Sequence, residues 1–439
     1  MMKMAWAWCA VVTGVRVGAS ERCRDRWLEP FSSDSIWNTA IGSGANFKAA
    51  NLFADGDWRG MPGSFHNDQD FVVRTTHQDP LTTWINQGDW DPDTAAGGKC
   101  GTQKHPHSGK PCGSAAGLTD GCITQIRLPK DWTSATDCDG PASASGGNCR
   151  SPGDQKNNNA MALLLPDNET LVQMQPAYRC GFYPKPLLAR WGNATDGGPT
   201  RFPNVTSIFG AGTYGAHGGS GLSSLGGSIR LGELLPGGSI AHALKIELTN
   251  WWYYSRAQLQ PPTVENDGHT QYVWPATGSN GRFSNATGTA GTYNGTDRFL
   301  APGALLAIPA SQADSVKTTT PIGTKIKQAM VDYGSYIVDG AGHGPSPEPN
   351  RRNHVAICMD ALVNAEMRRH YNFSMTYPAG VSAPGLDPKQ TPAANQLFND
   401  LLRIFRALHI VTNNRPGRVG GGGTPRHPPK PAICGAPAP

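Results

Sequence analysis

The glycine-rich stretch SIFGAGTYGAHGGSGLSSLGGSIRLGELLPG, residues 207–237, carries Tyr214 and His217 three positions apart and, further on, Arg230 and Glu233 three apart. These residue types match one reaction well. In β-elimination from a uronic-acid polysaccharide a base takes the proton beside the carboxyl group, an acid protonates the leaving oxygen, and a cation steadies the enediolate. The expectation is that Tyr214 and His217 exchange the protons and Arg230 supplies the cation, with Glu233 beside it. The competing reading is that Tyr214 and His217 brace a tight loop by hydrogen bonding to its many backbone groups.

Other chemistries find weaker warrants. Hydrolysis of a glycosidic bond needs two carboxylates about 5 to 9 Å apart, and Glu233, Asp267, Glu265 and Asp70 are candidates that sequence cannot bring together. GAGTYG fits a dinucleotide fingerprint but opens more glycine instead of a helix, and no Gly-Lys-Ser/Thr or Gly-X-Ser-X-Gly follows. His105 and His107 in KHPHSG, and His66, Asp68 and Asp70 in FHNDQDF, have no defined metal spacing. No metal and no cofactor is therefore expected. Trp251, Trp252, Tyr272 and Trp274, near the glycine-rich loops, are the expected carbohydrate-binding platform, since sugar rings present flat C–H faces.

The elements that must position these groups are mostly strands. Alternating apolar patterns in SFHNDQDFVVRTTHQDPLTTWI read as strands, and NAMALLLPDNETLVQMQPAY reads as a β-hairpin around Pro-Asp-Asn. LSSLGGSIRLGELL has roughly helical spacing, which would put Arg230 and Glu233 on one face with Gly226 and Gly227. A strand is expected in SIAHALKIELT and another in PGALLAIPA. Ile322, Ile326 and Met330 mark the inner face of a helix that runs into a strand, and AANQLFNDLLRIFRALHIV marks a second helix. Residues 88–158 are dominated by Gly, Asp, Pro, Ser and Cys and read as a disulfide-held excursion. Residues 413–439 read as a Gly/Pro-rich disordered tail. The fold class expected is mainly β, a sandwich or jelly-roll-like single large domain over residues 20–412 with a few packed helices.

Composition points outside the cell. Residues 1–19 combine a lysine, an apolar run and a small-residue cleavage site, as a secretion signal does. Six sequons, at Asn168, Asn193, Asn204, Asn285, Asn294 and Asn372, are usable only in a eukaryotic secretory pathway. Of ten cysteines, Cys100, Cys112, Cys122, Cys138, Cys149 and Cys180 cluster without a Cys-X-X-Cys pair, which fits disulfides better than zinc. With Cys9 removed the number is odd, so Cys358 is the choice for a buried free thiol and Cys434 the choice for self-association through a bond between chains. A net charge of +5 with no basic run gives nucleic acid no stripe to bind, and no segment after the leader approaches a membrane span.

SIWNTAIG, GGSGLSSLGGSIRLGEL followed by IAHALKI, WPAT and QAMVDYGSYIVD occur in an order that resembles a family of secreted, mostly bacterial proteins, over residues 31–345 with gaps. The resemblance implies one large extracellular domain and brings no established reaction with it. The function expected is that of a secreted glycoprotein acting on an extracellular polysaccharide, as a lyase of uronic-acid-containing chains or as a hydrolase. The alternative is a non-catalytic structural or adhesive component of a cell wall or extracellular fibre.

Overall fold

The computed structural model describes residues 23–53, 65–86, 123–134, 160–175, 177–179, 181–189, 204–249, 252–254, 272–279, 293, 295–341, 355–373, 375 and 392–436. Among them the chain is mainly β. Strands β1 Phe47–Ala49, β2 Phe65–Arg74, β3 Leu81–Asn86, β4 Ile123–Arg127, β5 Met161–Leu164, β6 Thr170–Met174, β7 Ala177–Tyr178, β8 Leu187–Ala189, β9 Asn204–Ser207, β10 Leu244–Leu248 and β11 Leu305–Ala307 come first. Helix α1 Pro321–Asp332, strands β12 Ser335–Gly340 and β13 Val355–Asp360, helices α2 Ala361–Tyr371 and α3 Pro392–Arg406, and strand β14 His409–Val411 complete the order.

Ten strands make one mixed sheet in the order β1-β14-β11-β12-β10-β13-β2-β5-β6-β9, and four make a second, β4-β3-β8-β7. The central pairs β10–β12, β13–β2 and β2–β5 are parallel, an arrangement that a jelly roll, built from antiparallel ladders, does not have. Parallel strands are covered on both faces, and so they are here. On one face, Ile322, Ile326 and Met330 of α1 and Leu397, Leu401 and Phe405 of α3 share a core with Leu244, Ile246, Leu248, Ile337, Ile357 and Met359. On the other, Tyr336, Val338 and Cys358 pack with Phe31, Trp37, Ile41, Leu222 and Leu225, which come from irregular segments. The small sheet closes one end, where Trp84, Ile126 and Leu187 pack on Phe71, Val73, Met161 and Met174.

Several sequence expectations fail here for physical reasons. Residues 222–234 form turns instead of a helix, because Gly227 and Gly232 take φ of +78° and +85°, a region no α-helix visits. The excursion expected at 88–158 contains β4, paired antiparallel with β3 in five registers from Leu81↔Arg127 to Ile85↔Ile123; residues 88–122 and 135–158, and all six clustered cysteines, lie outside the described residues.

The tail beginning at 413 is part of the fold. Its backbone bonds to residues 42–44 through Gly42 N to Gly420 O at 2.9 Å and Gly44 N to Gly422 O at 2.8 Å, and Cys434 pairs with Cys23 within the chain. Gly/Pro composition reads as a linker only when no partner segment is known, and here residues 40–45 are that partner. Cys434 is thereby removed as a link to another chain, and the free thiol among the described residues is Cys358, fully buried. The expected signal at 1–19 falls outside the described residues. No described helix is long and apolar enough to cross a membrane.

Candidate functional site

Strand periodicity turns a row of ionisable groups onto the buried face opposite α1 and α3. In β10, Leu244, Ile246 and Leu248 join the helix-side core, so alternation sends Lys245 and Glu247 to the other side. In β13, Val355, Ile357 and Met359 do the same, leaving Cys358 and Asp360 beside them. Register then adds β2, where Asp68 lies opposite Cys358 and Asp70 opposite Asp360, and paired residues of a ladder share a face.

The glycine-rich stretch forms a hairpin that lies on this row. His217 N donates to Leu222 O and Gly215 N to Gly221 O, both at 2.9 Å. Gly218 N donates to Gln175 Oε1 at 2.5 Å and Gly219 N to Asp339 Oδ1 at 3.2 Å, so the hairpin is held from just beyond β6 across to β12. A Cβ at Gly218 would stand 2.3 Å from the Asp339 side chain, and one at Gly227 would stand 2.4 Å from the Trp37 ring and 2.6 Å from Lys245. The glycines therefore let backbone lie directly on the sheet, and that close approach delivers His217 into the ionisable row.

The resulting centre is compact. His217 Nε2 lies 3.1 Å from Asp70 Oδ1, 3.3 Å from Asp68 Oδ2 and 3.6 Å from Cys358 Sγ. One ligating atom from each of Asp68, His217, Glu247 and Cys358 falls within 4.8 Å of the others. Lys245 Nζ pairs with Asp70 Oδ2 at 3.0 Å and donates to Ser223 O and Ser224 O, while Ser228 Oγ donates to Asp70 Oδ2 at 2.6 Å. His217, Asp70, Lys245 and Cys358 are fully buried, Glu247 is nearly so, and the Asp68 side chain, 21% exposed, is the outlet.

Charges so placed shift one another. Burial pushes Asp70 up, but Lys245, His217 and the Ser228 hydroxyl outweigh it and hold the carboxyl at about 2. Burial and Lys245 press His217 down, yet Asp70 and Asp68 leave it above the ordinary imidazole range. Glu247 is raised well above the carboxylate range by burial and then by Asp68 and Asp339, and the Cys358 thiol is raised by burial, Asp70 and Glu247. Burial likewise lifts Asp360 to about 6. The thiol, held protonated and stacked on the same imidazole nitrogen as two carboxylates, is not arranged as a nucleophile activated by a separate base.

No family model, curated protein or solved structure matches this chain.

Of the residues expected to act together, His217 alone sits in the centre. Tyr214 is exposed, with its carbonyl taking the Gln173 amide at 3.0 Å. Arg230 is buried, donates from Nη2 to Leu225 O, and faces Asp360, Glu233 and Asp70. Glu233 accepts from the Arg230 N–H at 2.6 Å and pairs with His242 at 3.2 Å, which makes it a turn-closing group.

The expected aromatic platform is described only in part. Trp252 packs edge-on against Phe53 with ring centroids 4.9 Å apart, Trp274 packs against the core beneath the hairpin, Tyr272 is half-buried, and Trp251 lies outside the described residues. Asn372 is exposed at the left-handed end of α2, and Asn168 sits in the hairpin turn, where it accepts from Arg74. Asn204 lies in β9, with its side chain outside the described residues, as are Asn193, Asn285 and Asn294.

Sequence reasoning passed over Lys245, Glu247 and Asp360, set Asp68 and Asp70 aside as metal ligands for want of a defined spacing, and kept Asp70 only as a candidate hydrolase carboxylate. A signal was available: LKIEL and VAICMD place charged or thiol groups at alternate positions of otherwise apolar strands, which in a sheet buried on both faces marks an ionisable row turned inward.

Proposed function

We propose that the protein is a secreted glycoprotein that acts on an extracellular polysaccharide, as a lyase of uronic-acid-containing chains, through Asp68 and His217. The observation that carries this reading is that Asp68 reaches the surface while its Oδ2 stands 3.3 Å from His217 Nε2. Asp68 meets the substrate and takes the proton beside the uronate carboxyl, the bond to the leaving sugar oxygen breaks as the double bond forms, that oxygen takes a proton from Asp68 or from water, and His217 behind Asp68 orients its carboxylate. Elimination is favoured over hydrolysis because Asp68 and Glu247 offer oxygens within 4.8 Å of each other, closer than the roughly 5 to 9 Å that a pair of glycosidase carboxylates needs. Tyr214 and Arg230 keep no shared role with His217 in this reading.

Burial of His217 and Arg230 and the disulfide joining the two ends of the described chain favour a second reading, a non-catalytic structural component of a wall or fibre. One assay separates them. The wild type and Asp68→Asn are incubated with alginate-like, pectin-like and ulvan-like chains, and absorbance of the unsaturated product is followed. The lyase reading expects turnover on one of these and a loss of about 10²-fold or more in Asp68→Asn with the fold retained. A folded wild type silent on all three favours the structural reading.

A further inference from the structure

We propose that Asp68, His217, Glu247 and Cys358 bind a divalent transition metal ion of the zinc type. The case begins with the crowding of one nitrogen. His217 Nε2 has one hydrogen to give at most, yet Asp70 Oδ1, Asp68 Oδ2 and Cys358 Sγ approach it to 3.1, 3.3 and 3.6 Å, and a Glu247 oxygen lies within 4.8 Å of the same group of atoms. A single N–H cannot satisfy acceptors on several sides. A cation at their common centre can.

The spacings fit such an ion. With metal–nitrogen and metal–oxygen bonds of about 2.0 Å and a metal–sulfur bond of about 2.3 Å, tetrahedral ligands stand about 3.3 Å apart for N···O and about 3.6 Å apart for N···S. Those are the His217–Asp68 and His217–Cys358 distances. Asp70, fully buried, pairs with the same Nε2 through Oδ1 at 3.1 Å, so the one hydrogen of that nitrogen is already claimed before Asp68 and Cys358 approach it.

Charge and ligand type select the ion. Asp68, Asp70 and Asp339 surround the site with Lys245 among them, and a dication would bind Glu247 and Cys358 in their ionised forms, their protons passing to solvent as it enters. A thiolate and an imidazole beside carboxylates suit zinc and its neighbours, whereas calcium and magnesium take oxygen alone. Lys245 and Ser228, which both hold Asp70, would form the supporting layer that fixes the ligands. His217, Glu247 and Cys358 are the buried donors and Asp68 is the exposed one. If the functional reading above is right, a substrate carboxylate would displace Asp68 from the ion and leave it free to take the proton. Metal binding itself is measured without any polysaccharide, so the two ideas fail separately.

The test uses the full secreted chain, stripped with a chelator and shown to keep its near-ultraviolet circular dichroism. Zinc and cobalt are then titrated in. The expected result is one ion per chain, a sulfur-to-cobalt charge-transfer band, and a rise in the wild type's melting temperature with zinc. Cys358→Ser should remove the band, and His217→Gln should weaken binding by about tenfold or more. A folded wild type that binds neither metal would overturn the proposal. So would cobalt binding without a sulfur band, or binding unchanged in both variants, which would place the ion elsewhere. Should the variants fail to fold, the wild-type cobalt spectrum decides alone.

Discussion

Lys245 and Asp70 form an ion pair at 3.0 Å in which neither side chain has any solvent exposure. Taking two charges out of water costs several kcal/mol per ion, and the pair persists only because both ends are further satisfied. Lys245 Nζ also donates to Ser223 O and Ser224 O, and Asp70 Oδ2 accepts from Ser228. The pair therefore anchors the glycine-rich segment to β10 and β2 at once.

Lys245→Met should consequently leave Asp70 without its ammonium partner and two carbonyls without their donor. We expect a loss of about 3–5 kcal/mol in chemical denaturation, the range for breaking a buried pair from one side. Adding Asp70→Asn to the same chain should restore part of that loss. A change below about 1 kcal/mol for Lys245→Met alone would contradict the pairing.

Gly218 and Gly232 separate backbone conformation from close approach. Both take positive φ, +53° and +85°, but a Cβ at 218 meets Asp339 at 2.3 Å whereas one at 232 meets nothing within 4 Å. Alanine at either position should cost about 1 kcal/mol for the φ. At 218 the clash should add about 1–3 kcal/mol as overpacking, read as a further fall in melting temperature. Equal costs would mean that the hairpin does not rest on β12.

The parts of this fold that could be read in the sequence are those set by local periodicity. The hairpin of β5 and β6 around residues 165–169 and the inward Ile322, Ile326 and Met330 of α1 depend on patterns a few residues long. Helix α2 was missed because its apolar positions are few, and it is fixed instead by Asp360 capping Leu362 N and by burial of Val363 and Met367.

The candidate site was legible only at His217. Asp68 and Asp70 carry no meaning until β2 pairs in parallel with β13, a strand from the far end of the chain. Glycine was misread for a related reason. Gly226 and Gly227 fit a helix-like spacing, yet what decides their conformation is the Trp37 ring, which a Cβ at either would meet at 2.3 and 2.4 Å. Such contacts are tertiary and leave no local pattern.

The Cys23–Cys434 disulfide closes a loop with a sequence separation of 411 residues. Bonds of this kind persist in oxidising compartments, which accords with the secretion proposed above. Non-reducing peptide mapping of the secreted chain should recover the two cysteines in one linked fragment. Cys23→Ser should cost about 2–5 kcal/mol, because Arg24 also bonds to Pro431 O and to Phe31 O and loses its tether. Finding Cys434 linked to a second chain would refute the intramolecular pairing.

Tyr214 and Arg230, expected from their spacing to share one reaction, should behave in opposite ways. Tyr214 is 58% exposed, so Tyr214→Phe should change stability by no more than about 0.5 kcal/mol. Arg230 is buried among Asp360, Glu233 and Asp70 and donates to Leu225 O. Its replacement by methionine removes the hydrogen bond to Leu225 O and the cation nearest to Asp360, and should cost about 1–3 kcal/mol. Denaturation curves of the two variants decide this directly. If Tyr214 is nevertheless the acid that protonates the leaving oxygen, Tyr214→Phe will lose about 10²-fold in product formation with its stability intact. Arg230→Met would lose activity only in proportion to the folded protein it loses, because a guanidinium buried and bonded to Leu225 O is not presented to an enediolate. Full stability of Arg230→Met together with lost turnover would instead return Arg230 to the substrate.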